Sequence, residues 1–245
     1  TICDLEIQRG LPNSRNLVFE GFRNSFNRFH PDIVLVVYNR SDLMQRGLTY
    51  YNGKPTFGKE LSEKYDIVVN IDSDFLLFVR MEEILAADFE IACPACYNST
   101  YNVVGIKACT GLNGEGEKRW LVDEKDYLHA GLIASTSKQF WEHYEYVTQK
   151  HYEKFTCYEN DTLNLAAYLY PYNVKILDGN SDYNKNKQWY GGSHLGKEKT
   201  FYIENNKVMC EGKRVVAHHF GHGSGKQSYQ DVFSPEVVEF IKTNI

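Results

Sequence analysis

Along the chain, apolar positions fall into two alternating patterns. Short runs with little polar alternation occur at residues 33–38, 67–71, 90–96, 127–134, 173–177 and 215–220. Rich in Val, Ile and Leu, such runs predict strands buried on both faces. The other pattern is helical. Val18, Phe22, Phe26 and Phe29 recur at a spacing that puts them on one face, after a turn and cap at Pro12-Asn13-Ser14 and before a break at Pro31-Asp32. With a short first strand in residues 1–7 and a helix opened by Thr56 or Gly58 and running through Tyr65, the first third reads β-α-β-α-β. That order predicts a doubly wound parallel sheet.

The remainder continues in kind. Residues 81–87 predict a short helix. Ser137 caps a helix on which Phe140, Tyr144, Val147 and His151 share a face, and another helix begins near Glu159 and ends before Pro171. Residues 201–209, split by Asn205-Asn206, predict a β-hairpin. Ser234-Pro235-Glu236 supplies a cap and a proline at the first helical position. Two polar, Asn- and Gly-rich stretches, 98–118 and 178–199, predict long loops over a site. No internal repeat or boundary divides the chain, so residues 1–245 are expected to form one domain.

Composition narrows the class. A hydrophobic content of 42% and a charged content of 24% suit a soluble globular protein. A formal net charge of -5 argues against a duplex nucleic-acid binder, which needs a clustered basic face. No stretch is long and apolar enough to span a membrane. A chain that starts at Thr1 rather than Met is consistent with a removed leader, anchor or further domain. The 18 tyrosines and 3 tryptophans exceed what a core of this size needs and suit contacts with sugar faces. The six cysteines are dispersed, and Cys93-Pro94-Ala95-Cys96 lacks the second ligand pair of a zinc site, so buried thiols are expected.

The densest chemistry lies where the 67–71 run ends, in Asp72-Ser73-Asp74. Ligands of parallel sheets bind at the carboxyl ends of strands, and two carboxylates there call for a cation. Oxygen ligands joined by one imidazole suit Mn²⁺, with Mg²⁺ next.

With β-α-β-α-β ending in Asp72-Ser73-Asp74, the chain resembles GT-A-type, DxD-containing glycosyltransferases. Three downstream segments share the likeness. His129-Ala130-Gly131-Leu132-Ile133 is similar to that fold's segment beside the donor sugar, and Asp161-Thr162-Leu163-Asn164 to its acidic helix start. The segment from Val215 to Gly221, with Lys226 beyond, resembles the late histidine motif of glycogenin-like families, although their usual Lys-Pro-Trp is absent. In composition alone, the Asn- and Tyr-rich chain is similar to glycosyltransferases encoded by chloroviruses.

The resemblance implies an α/β, GT-A-like fold, a Rossmann-type and mostly parallel central sheet flanked by helices, with a small antiparallel hairpin near the acceptor side. Residues 1–97 would be the nucleotide-binding half and 98–245 the donor and acceptor half. It implies metal-dependent transfer of a sugar from a nucleotide-diphosphate donor, UDP-linked in preference to GDP or CDP, to a hydroxyl of an oligosaccharide or other glycan. Asp74 is then the firmest metal ligand, and Asp72 binds the metal or the ribose. His218 is the third ligand, or His219 if the strand register shifts by one. Tyr38 ends the second strand and Asn39 and Asp42 follow it, where this fold holds the base and ribose, while Lys59, Ser73, Ala130, Gly131 and Lys226 are further donor contacts. Asp161 is the general base of an inverting enzyme or the donor-sugar contact of a retaining one, with Glu159 as its substitute. Trp189 and Tyr190 fit either an acceptor loop or core packing, and His222 a phosphate contact or the surface. The compartment implied is the cytoplasm or, with an anchor removed, a Golgi-type lumen.

Other readings stay open. A HAD-type phosphatase also ends a buried strand in Asp-x-Asp, with Asp72 as nucleophile, and Asp178-Gly179-Asn180-Ser181-Asp182 imitates its later magnesium motif. A carbohydrate-binding protein without catalysis would use the aromatic loops alone. A sugar nucleotidyltransferase would need an early Gly-rich basic signature that the chain lacks.

Overall fold

The computed structural model describes residues 2–4, 14–95, 127–151, 158–177, 188–191, 200–220 and 232–245. The first elements are β1 (Ile2–Asp4), α1 (Ser14–Phe29) and β2 (Val37–Asn39), followed by α2 (Arg40–Gln45), α3 (Tyr50–Ser62) and β3 (Val68–Ile71). Next come β4 (Phe75–Leu77), α4 (Glu82–Leu85), β5 (Ile91–Pro94), β6 (Leu132–Ser135), α5 (Lys138–His151), α6 (Tyr158–Leu169) and β7 (Val174–Leu177). The last part holds β8 (Gln188–Trp189), β9 (Phe201–Glu204), β10 (Lys207–Cys210), β11 (Lys213–Val215), β12 (Ala217–His219) and α7 (Pro235–Asn244).

The central sheet has the order β3-β6-β5-β7. It is mixed: β5 and β7 are parallel, while β6 runs antiparallel to both β3 and β5. β1 and β2 pair in parallel beside it, and β4 pairs with β12 in an antiparallel ribbon. The hydrophobic runs locate these strands but carry no direction, which the connections set. In the run at 33–38, only Val37 and Tyr38 join a strand, which continues to Asn39, and Val34 is 61% exposed, so the run is not covered on both faces. The hairpin at 201–210 is as expected, its turn made by Asn205 and Asn206, both with positive φ (49° and 59°), as a two-residue hairpin turn requires.

Alternation along the strands separates two cores. Val68, Ile91, Cys93 and Ile133 face α3, α5 and α6, where Phe140, Trp141, Tyr144 and Val147 are all fully buried. Ile71, Ala92, Leu132 and Ala134 face the opposite way, toward Phe22 and Phe26 of α1. Side chains two apart on a strand share a face, so one short strand serves both cores. Each large apolar side chain so buried contributes about 1.5–3 kcal/mol.

α3 begins earlier than its sequence suggests. Thr49 caps it in a box with Asn52, and Pro55 lies inside it. A proline within a helix costs one backbone hydrogen bond, which is why a start after Pro55 is the natural expectation from sequence. Close approach of α3 to α5 depends on Gly58, where an added Cβ would lie 2.2 Å from the Trp141 ring. Cys93 is buried and its thiol is pushed up by that burial, as expected of an inert packing thiol, whereas Cys96 lies outside the described residues.

His30 ties α1 to the segment before α4. It is fully buried, stacks on Phe26, and its Nε2 accepts the Met81 N–H at 3.0 Å. Burial, aided by Arg80 and opposed by Asp32, lowers its pKa from 6.5 to about 4. Between those values the unfolded chain takes up the proton and the folded chain does not, so the contribution is complete above pH 6.5 and is lost as pH falls toward 4. The melting temperature is therefore expected to drop across that window in the parent protein and to drop less in His30→Phe, as differential scanning calorimetry at stepped pH will show.

Candidate metal centre

β3 delivers Asp72 to the carboxyl end of the central sheet, where its backbone N–H bonds to the Gly131 carbonyl at 2.8 Å. A turn holding half-buried Ser73 leads to Asp74 and into β4. Because β4 pairs with β12, the end of β12 is fixed against this turn: His219 lies opposite Phe75, and Phe220 N–H donates to the Asp74 carbonyl at 3.0 Å. The His219 ring stacks on Phe75, and its Nε2 lies 3.0 Å from Asp74 Oδ1 and 3.8 Å from Asp72 Oδ2. Among the described residues, Asp72, Asp74 and His219 offer ligand atoms that all lie within 4.8 Å of one another, and all three residues are buried.

The third member of the cluster is His219, which corrects the expected preference for His218. Adjacent strand residues point to opposite faces. His218 pairs opposite Leu76 and packs among the rings of Phe201, Phe220 and Phe233 at centroid distances of 4.7–5.2 Å.

A buried cation completes the site. Lys54 of α3 is fully buried, with Nζ 2.7 Å from Asp72 Oδ1, 3.1 Å from Glu159 Oε2 and 3.2 Å from the Ala130 carbonyl. Tyr50, one turn earlier on the same helix face, donates its hydroxyl to Asp72 Oδ1 at 2.7 Å. Burial pulls the Lys54 pKa down, but the Asp72 and Glu159 carboxylates together outweigh it, so the ammonium lies above its ordinary value and stays charged. Burial raises the Glu159 carboxyl, with Asp72 adding and Lys54 opposing. For His219, burial lowers the imidazole and the Asp74 and Asp72 carboxylates overcome it, giving a net rise. Neither Tyr50 nor Lys54 stands out in the sequence, because a helix read from Thr56 or Gly58 leaves both in the preceding loop. The signal that could have found them is the Thr49/Asn52 capping box, which sets the register that aligns them.

The start of α6 holds the segment beside the site. Asn160 Oδ1 accepts the Ala130 N–H at 2.8 Å, and Asn164 brackets Leu128, accepting its N–H at 2.8 Å and donating to its carbonyl at 2.9 Å. Asp161 is fully buried and accepts the Tyr127 hydroxyl at 2.5 Å. The acid of this helix start that reaches the Lys54–Asp72 pair is Glu159. Gly131 allows the close approach of two imidazoles: an added Cβ would lie 2.7 Å from His129 Cε1 and 3.1 Å from His219 Cε1.

Other expected site residues have local partners. Asn39 caps α2, its side chain accepting from Ser41 and Asp42 N–H groups while Asp42 accepts from the Asn39 N–H at 2.7 Å. Tyr38 stacks on Phe57. Lys59 pairs with Glu145 of α5 at 2.6 Å, so the lysine of α3 that reaches Asp72 is Lys54. Tyr190 is buried, its hydroxyl donating to Gln188 at 3.1 Å. Lys226, His222, the loop at 98–118 and the Asp178–Asp182 motif lie outside the described residues, as does the side chain of Trp189. No helix among the described residues is long and apolar enough to cross a membrane.

No family model matches the chain, and no curated protein sequence matches it. Solved structures do. The galactosyltransferase LgtC, in complex with donor and acceptor sugar analogs, is similar over 99% of this chain and 95% of its own, at 13% identity and a TM-score of 0.50. Mouse xyloside xylosyltransferase 1 is similar over 92% of this chain and 98% of its own, at 8% identity and a TM-score of 0.51. The WbbM bifunctional glycosyltransferase aligns with 72% of this chain, which spans 38% of its length, at 13% identity and a TM-score of 0.45. The chain has the GT-A-like α/β fold of LgtC and the xylosyltransferase, as the Asp-x-Asp strand and its downstream segments led one to expect.

Proposed function

We propose that the protein is a metal-dependent glycosyltransferase that moves a sugar from a UDP-linked donor to a hydroxyl of a glycan acceptor. The observation that carries this is the convergence of Asp72, Asp74 and His219 at the carboxyl end of β3, in a fold shared with LgtC and the xylosyltransferase. The donor set fits a divalent ion: two carboxylates and an imidazole are the ligand types that suit Mn²⁺ and accept Mg²⁺. A cation bound there offsets the negative charge that builds on a departing diphosphate.

The chain's own groups divide the remaining work. Lys54 bridges Asp72 and Glu159 and holds both carboxyl groups in place inside a buried site. Glu159, whose side chain keeps 17% of its surface exposed beside that pair, is the carboxylate proposed to meet the reacting sugar or the acceptor hydroxyl. Asp161, fully buried against Tyr127, is assigned to ordering the 127–131 segment. Ala130 and Gly131 are assigned to the donor side, and Tyr38, Asn39 and Asp42 to the nucleotide side. A HAD-type reading would use Asp72 as nucleophile, and the fold shared with LgtC and the xylosyltransferase favours the transferase over it.

The test is a panel of nucleotide sugars incubated with Mn²⁺ or with EDTA. One UDP-sugar should be hydrolysed slowly with metal and left intact in EDTA. Hydrolysis of a phosphomonoester with every nucleotide sugar left intact, and phosphate trapped on Asp72, would replace the transferase by a phosphatase.

A further inference from the structure

Asp72 presents its two oxygens to different surroundings. Oδ1 receives both the Tyr50 hydroxyl and the Lys54 ammonium, each at 2.7 Å. Oδ2 is the oxygen on the His219 side, 3.8 Å from Nε2. A carboxylate oxygen has two lone-pair directions, and two such donors use both. We propose that Tyr50 is a positioning residue and a selectivity determinant for the metal: with Lys54 it occupies Asp72 Oδ1, so that Asp72 offers a bound cation Oδ2 alone. The proposal rests on the metal site put forward above and specifies how one of its ligands is presented.

The local structure explains why a tyrosine can do this reliably. Tyr50 is the first residue of α3, and the Thr49/Asn52 capping box fixes that end of the helix. Its ring lies under the Lys54 ammonium, with Nζ 4.6 Å from the centroid, while its hydroxyl reaches the carboxylate that the same ammonium touches. Tyr50, Lys54 and Asp72 thus form a closed set in which each member contacts the other two. Removing the hydroxyl frees one lone-pair direction of Oδ1 and lets the carboxylate turn.

Single-oxygen ligation has a consequence for ion choice. Mn²⁺ and Mg²⁺ take compact octahedral shells, whereas Ca²⁺ takes six to eight oxygens and readily accepts both oxygens of one carboxylate. A carboxylate held to one oxygen therefore favours the smaller ions. Partners of this kind typically change metal affinity by 10–100-fold when removed.

The experiment measures metal binding without substrate, by Mn²⁺ electron paramagnetic resonance and by calorimetry with Mn²⁺ and Ca²⁺ separately. Tyr50→Phe keeps the ring under Lys54 and removes the hydroxyl, and Tyr50→Leu removes both. The expected result is a loss of Mn²⁺ affinity of about 10-fold or more in Tyr50→Phe, a narrower preference for Mn²⁺ over Ca²⁺, and a melting temperature in EDTA near that of the parent. Parental Mn²⁺ affinity in Tyr50→Phe with a loss only in Tyr50→Leu would assign Tyr50 to packing and overturn the proposal. Absence of Mn²⁺ binding by the parent protein would overturn the metal site itself, a different failure from the first.

Discussion

Asp74→Asn is expected to lower affinity for a UDP-sugar in the presence of Mn²⁺ by at least about 100-fold, roughly 2.7 kcal/mol, and to abolish transfer. Asn has nearly the shape of Asp, so the turn between β3 and β4 and the bond from Phe220 N–H to the residue-74 carbonyl should persist. What disappears is one negative charge, in a buried group whose other members are Asp72 and His219. Asp74 is the cluster carboxylate closest to His219 Nε2, whereas Asp72 shares its other oxygen with Lys54 and Tyr50. Removing Asp74 thus leaves the site with one carboxylate already engaged elsewhere. Calorimetric titration of Mn²⁺ followed by donor measures the effect, with circular dichroism as the control for folding. Donor binding that is equal in the Asn variant and the parent would remove the metal from the account.

Lys54→Met is expected to be the most destabilising of the substitutions considered. Its ammonium is fully buried between Asp72 and Glu159, and Met fills a similar volume without charge. Two buried carboxylates then face each other without a cation. Breaking a buried pair in this way costs about 3–5 kcal/mol. In a protein of this size that corresponds to a fall in melting temperature of roughly 6–20 °C. Mn²⁺ should recover part of the loss, because it restores positive charge beside Asp72, whereas no such recovery is expected where Asp74 is also replaced. A Lys54→Met protein that melts with the parent would show that Asp72 and Glu159 are not held as charged groups.

Much of the sheet was legible because its strands are short apolar runs buried on both sides, as at 68–71 and 132–135, where every residue but Val69 is buried. Their direction was not, since an apolar run reads the same along either course, and β6 turned out antiparallel to both neighbours. The Asp72 and Asp74 pair was visible as two charges ending such a run. The choice between His218 and His219 was not, because both are buried and the two differ only in which face of β12 they occupy; the pairing with β4 decides it. Lys54 and Tyr50 were hidden by Pro55. A proline one residue after Lys54 argues for a helix that starts later, yet the capping box at Thr49 outweighs it and places Tyr50 and Lys54 on one face, one turn apart. At the start of α6 the sequence supplied the acids without their burial. Tyr127, far away in the chain, takes Asp161 into the core and leaves Glu159 at the site.

The central claim is that one divalent ion sits among Asp72, Asp74 and His219 and holds the donor diphosphate. Crystals grown with Mn²⁺ and UDP, measured at the manganese absorption edge, test it most directly. The account predicts one strong anomalous peak in contact with Asp72 Oδ2, an oxygen of Asp74 and His219 Nε2, with the UDP phosphates on its open side. A peak bound by other residues, or UDP seated with no manganese beside Asp74, would contradict it.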